Sequence, residues 1–109
     1  MTKLDLLRLI GDVLTKIDTA IGDLLPSDPN QRRLQDLRIL LDDRQRQLAG
    51  QVFDENSQAF QDATQQLQGA SAAITASVQS LQSTENTINT ISGFLNSVTS
   101  LLTTAGALI

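Results

Sequence analysis

Apolar residues recur along this chain in two rhythms. Over residues 3–25, Leu7, Ile10, Leu14, Ile17, Ile21 and Leu24 alternate spacings of three and four, which places them on one helical stripe. Leu6, Val13 and Ala20 widen that stripe along one edge, as suits a helix with two neighbours. Thr2 with Asp5 three residues on predicts an N-cap, with an acid near the positive helix end. Pro26 then ends the pattern. Asp28 is placed to cap a second helix, Pro29 suits its first position, and Gln31 suits a capping-box contact. That helix is predicted over 29–49. Leu34, Leu37, Leu41 and Leu48 lie inward, Leu40 lies beside them, and Gly50 follows as a C′ residue. So short a connection makes the two helices an antiparallel hairpin.

The second rhythm begins after Gly50. Phe53, Phe60, Leu67, Ile74, Leu81, Ile88, Leu95, Leu102 and Ile109 recur every seven residues without a slip. With these as position a, position d holds Asn56, Ala63, Ala70, Ser77, Thr84, Ile91, Val98 and Ala105, and position g ends with Phe94, Leu101 and Leu108. A fixed repeat of seven keeps an apolar seam facing its partner, as in a coiled coil. The strip is thin from 63 to 84 and broadens from Ile88 onward.

The expected fold is therefore all-α: an N-terminal antiparallel hairpin packed on a long heptad-patterned helix over 53–108, all one helical domain. Such a helix would span roughly 80–85 Å, and the first two, about 35 and 30 Å long, would leave part of its seam for another chain. The alternative is a four-helix bundle with a break near residues 82–87, where Ser83 or Thr84 offers a cap. No Pro, Gly or Asp lies between residues 70 and 92, so Gly69 and Gly93 are the expected bends in a continuous helix.

Charge changes the picture of the second half. Of the 20 charged residues, 19 lie within 1–62; residues 63–109 hold only Glu85, with 23 Ser, Thr, Asn or Gln. A helix with an uncharged outer face fits one surrounded by protein. It also fits one that moves between water and lipid, since 86–109 is long enough to cross a bilayer, although Asn86, Asn89 and Asn96 make it poorly apolar. In the first half, Arg32, Arg33, Arg38, Arg44 and Arg46 interleave with Asp36, Asp42 and Asp43. The spacings Arg32–Asp36, Arg38–Asp42 and Asp42–Arg46 predict a solvated, salt-bridged face. Arg44 falls on the inner stripe. Its stem packs while its head reaches water, or it is a buried recognition arginine. Net charge is −4 and no aromatics interleave with the arginines, so nucleic acid is not an expected partner.

Chemistry is sparse. The chain has no Cys and no His, which removes thiol nucleophiles, the usual triads and zinc sites. The pairs Asp42–Asp43 and Asp54–Glu55 diverge by about 100° on a helix, and the latter reads better as a helix start. No cofactor or metal is expected, and no enzyme. The N-terminus, interrupted by Asp5, Arg8 and Asp12, does not read as a signal peptide, which makes the cytoplasm the default expectation.

The expected function is protein–protein interaction or assembly: an adaptor, chaperone, immunity-type inhibitor or oligomeric subunit, self-associating or binding a partner helix. Its expected apolar anchors are Ile88, Ile91, Phe94, Leu95, Val98, Leu101 and Leu102. The competing expectation is a membrane-active pore component or secreted translocator that inserts the C-terminal helix.

Overall fold

In the computed structural model, which describes residues 1–79 and 84–104, helices begin where a side chain takes over an orphan backbone donor. Helix α1 (Lys3–Gly22) starts at Thr2, whose hydroxyl accepts from the Asp5 N–H at 3.2 Å while the Asp5 carboxylate accepts from the Thr2 N–H at 3.1 Å. The Thr2 N–H on its carboxylate, with the Thr2 hydroxyl beside it, holds the Asp5 carboxyl below its usual range. Helix α2 (Pro29–Ala49) starts at Asp28, which accepts from the Asn30 N–H at 2.9 Å. The cap bond thus reaches the second helical residue, while the Gln31 N–H is satisfied by the Asp28 carbonyl.

Helix α1 stops at Gly22, three residues short of Leu25, the residue that Pro26 keeps out of the helical region. Leu25 is left exposed. Gly50 caps α2 in right-handed geometry (φ −86°), not as the left-handed C′ residue the sequence suggested. Within α1, Leu6, Ile10, Val13 and Ile17 are fully buried while Leu7 and Ile21 are half-buried, so the core is turned toward the edge that widened the stripe.

The second half is not one helix. It forms α3 (Gln58–Gln79) and α4 (Thr84–Thr104), which pack on each other, so the four-helix alternative is the observed fold. No strand occurs among the described residues. The physical reason is length. Helices of 22 and 21 residues match the 20 and 21 of α1 and α2, so Phe60, Leu67, Ile74, Ile88 and Leu95 of the seam are buried inside the chain. The helix expected from residue 53 starts five residues later. Asp54 accepts from the Asn56 N–H at 3.1 Å, a local turn that competes with helix. Ser57 then caps α3 by accepting from the Phe60 N–H at 3.2 Å. Of the break expected at 82–87, residues 82 and 83, with the cap candidate Ser83, lie outside the described residues. Thr84 to Thr87 already belong to α4. Gly69 and Gly93, the bends expected of a continuous helix, lie inside α3 and α4.

Helix α1 packs against α2 and α3, and α4 packs against α2 and α3; α1 is diagonal to α4, and α2 to α3. Cross-links fix the directions. Asp18 meets Arg38 and Ser77 meets Thr87 across antiparallel pairs, whereas Arg33–Glu85 and Arg44–Thr99 join α2 to α4 in parallel. Two hairpins therefore lie side by side in the same sense, and residues 50–57 cross one end of the bundle diagonally. Phe53 on that crossing is buried, its ring centroid 5.4 Å from that of Phe60, and it closes this end of the core. Lys3 ties the crossing down. Its ammonium donates to the Ala49 and Gln51 carbonyls at 2.9 and 2.8 Å, and its backbone N–H donates to the Glu55 carboxylate.

Candidate interaction surface

The anchors expected from the heptad lie inside the bundle. Ile88, Ile91, Phe94, Leu95, Val98 and Leu101 are buried against the other helices, and Leu102 is half-buried. The seam does find company, but within its own chain. Across it, α3 contributes Phe60, Leu67 and Ile74, all fully buried, on a strip thinned by Thr64, Ser71 and Ser77. The Thr64 hydroxyl donates to the Phe60 carbonyl at 2.9 Å, the usual way a buried threonine satisfies itself on its own helix. Ser77 and Thr87 share a buried hydroxyl–hydroxyl bond of 2.8 Å between α3 and α4.

The hairpins are clasped by charge at one end and by Lys3 at the other. Arg33 donates to both carboxylate oxygens of Glu85, at 2.7 and 3.3 Å. That contact holds the Glu85 carboxyl below its usual range and raises the Arg33 guanidinium. The single charge of residues 63–109 is therefore neutralised in place. Arg38 pairs with Asp18 on α1, not with Asp42; Asp42 takes Arg46 at 3.0 Å, and Arg32–Asp36 forms at 3.8 Å as expected. The half-buried Arg44 lies between the buried Leu41 and Leu48, with its head on Asp43 at 2.8 Å and on the Thr99 hydroxyl at 3.4 Å. Neither expectation for Arg44 fits completely: its head is held by protein, yet it remains partly open to solvent.

What α3 and α4 turn outward differs from the outer surface of the other hairpin. On α1 and α2, Arg8, Asp12, Arg32, Asp36, Asp43 and Arg46 are exposed. On α3 the exposed residues include Gln65, Gln66, Gly69, Ala72, Ala73 and Ala76; on α4 they include Asn86, Asn89, Gly93 and Asn96. Asp62 and Glu85 are the exposed charges of these two helices among the described residues. Asp62 accepts from the Gln58 amide at 2.7 Å, and Glu85 is taken up by Arg33. The middle of this surface is uncharged and built of short side chains and amides.

Two glycines stand out on it. A Cβ added at Gly69 or at Gly93 would meet no atom within 4 Å. Glycine inside a helix costs about 1 kcal/mol relative to alanine, and no neighbour inside this bundle requires it at either position. Gly69 lies eight residues before Ser77 and Gly93 six after Thr87, so the two differ in height along the antiparallel pair by only about 3 Å.

The α2–α4 groove, about 240 Å³, is bounded by Arg33, Asp36, Leu37, Leu40, Ile88 and Ser92. Among the described residues, no cluster of three or more metal-ligating side chains forms. No described helix is long and apolar enough to cross a membrane. No protein-family model, no curated protein and no solved structure matches this chain.

Sequence reasoning missed the buried hydroxyl line of Thr64, Ser71 and Thr87, because the polarity of these residues reads as surface. The available signal was position. Thr64 and Ser71 each follow a seam residue by four, on the flank that faces the helix neighbours. The outer glycines were visible as residues but not as exposed ones.

Proposed function

We propose that this is a non-enzymatic helical interaction or assembly protein, whose working surface is the outer side of the α3–α4 hairpin. The heptad seam serves as the scaffold beneath it. The observation that carries the reading is the segregation of charge. Helices facing water ordinarily keep charged side chains, as α1 and α2 do, whereas the exposed middle of α3 and α4 has none. Depletion of charge marks the central part of a contact patch. The two solvent-facing glycines support the same reading, because they lower helix stability without easing any internal contact. Such a face would serve an adaptor, an assembly subunit, a chaperone or an immunity-type inhibitor alike.

The chain has no cysteine, so a single introduced thiol reports on one place. Ala73→Cys on α3 and Gln35→Cys on α2 both sit at exposed positions. Their maleimide labelling rates are compared in purified protein and in an extract of the cells that make it. Labelling of Ala73→Cys is expected to slow at least about tenfold in the extract, the protection given by a partner at about ten times its Kd. Gln35→Cys is expected to label equally in both. Equal rates at the two positions in every condition would remove the reading.

A further inference from the structure

We propose that the occupant of the outer α3–α4 face is a second copy of this chain, docked about a two-fold axis that passes near Gly69 and Gly93. This rests on the preceding reading that the face is a contact surface, and it names the partner. Four observations lead to it.

The first is charge. Each chain carries −4, so two copies repel least when they meet where neither presents charge. The middle of the α3–α4 face meets that condition, and the charged outer surface of α1 and α2 does not. A partner that brought its own charges here would bury them with no counter-charge opposite. The occupant must therefore be uncharged where it touches, as this face itself is.

The second is hydrogen bonding. Side-chain amides carry donors and acceptors together, so Gln65, Gln66, Asn89 and Asn96 can pair with amides of the same kind. A two-fold interface places a patch against itself and requires such self-complementarity. A row of carboxylates or guanidiniums lacks it.

The third is shape. Gly69 and Gly93 stand at nearly one height on adjacent antiparallel helices, beside the short side chains of Ala72, Ala73 and Ala76. With no internal contact to explain these glycines, they clear space for a backbone outside the bundle. The fourth is area. The bundle measures 45 × 23 × 18 Å, so a whole long side spans on the order of 800–1,000 Å², enough to hold the roughly 800 Å² per partner of a standard interface with Asp62 and Glu85 at its two ends and the charge-free stretch at its centre.

Sedimentation equilibrium of the full chain tests this, from about 1 to about 300 µM, where an interface of this size lacking large apolar anchors should associate. The wild type is expected to form a dimer. Gly69→Arg and Gly93→Arg are each expected to raise the dimer Kd at least about tenfold. Their monomer helicity and melting temperature should not fall, because the added side chain meets nothing at home. Gln35→Arg, the same change in charge on α2, should dimerise as the wild type does. A wild type that stays monomeric throughout overturns the proposal, as does a dimer indifferent to both glycine variants. Monomeric behaviour together with Ala73 protection in the extract would remove the second copy but keep the contact surface. Monomeric behaviour without protection would remove both.

Discussion

Replacing Phe94 with alanine tests the folded-back architecture most directly. Phe94 is fully buried on α4, against a core drawn from all four helices. A phenylalanine buries about 150–250 Å², which at about 25 cal/mol per Å² amounts to about 4–6 kcal/mol as an upper bound. Core Phe→Ala changes cost about 3–5 kcal/mol, cavity included, so the expected loss is about 4 kcal/mol. Domains of this size have roughly 5–15 kcal/mol in total, so the variant keeps only a small margin at the low end of that range. At about 4 °C per kcal/mol, the melting temperature falls by about 16 °C. Urea unfolding followed by far-ultraviolet circular dichroism, at a concentration where the chain is monomeric, measures the loss. The midpoint should drop with little change in slope. Leu102→Ala, at a half-buried position on the same seam, should cost less than half as much. If Phe94→Ala costs under about 1 kcal/mol, the side chain is not enclosed in the monomer, and the seam must instead face outward along an extended helix.

Three further outcomes follow from the same contacts. Glu85→Gln should lower stability at neutral pH. The native carboxyl is depressed below its usual value of 4.5, so its contribution is complete above that value and disappears as pH falls through the lower native one. The urea-midpoint difference between wild type and Glu85→Gln should therefore vanish in acid and shrink in high salt, and a difference independent of pH would exclude the ion pair as its source. Gly69→Ala should stabilise the monomer by about 1 kcal/mol in thermal melts, and destabilisation would mean that the position is crowded after all. Ser57→Ala should cost about 1 kcal/mol and loosen amide protection in the first turn of α3, whereas unchanged exchange there would place the cap elsewhere.

The first hairpin was legible because its signals are local. Thr2–Asp5 and Asp28–Pro29 act within one turn, and α2 has the bounds that Pro29 and Gly50 imply. The seam was legible too: Phe60, Leu67, Ile74, Ile88 and Leu95 are all buried. The chain reversal inside the second half was legible only as an alternative. Register continues from Ile74 to Ile88 as though one helix ran through, and a hairpin whose two arms share a repeat of seven looks the same as a single rod. Only the fit in length to α1 and α2 separates the two, and that is a property of the whole chain. The arms also differ in their flanks. Helix α3 buries Thr64 and Ser71, each four residues after a seam position, while α4 buries Thr87, Phe94 and Leu101, each one residue before a seam position. That rotation depends on which neighbours stand beside each helix. The outer face followed only in part: its lack of charge was plain in the composition, but its glycines acquired meaning once their surroundings were known to be empty.

The diagonal crossing of residues 50–57 has a kinetic consequence. Pairings inside each hairpin join nearby residues: Ser77 and Thr87 are 10 apart, Asp18 and Arg38 are 20 apart. Pairings between hairpins are distant, with Lys3–Glu55 and Arg33–Glu85 both 52 apart. Loop-closure entropy grows with separation, so each hairpin nucleates by itself and their mutual docking comes later, as the slower search. Phe53 travels on the strap that joins them and has its pocket only once both halves have arrived, which makes its burial a late event on the route to the native state.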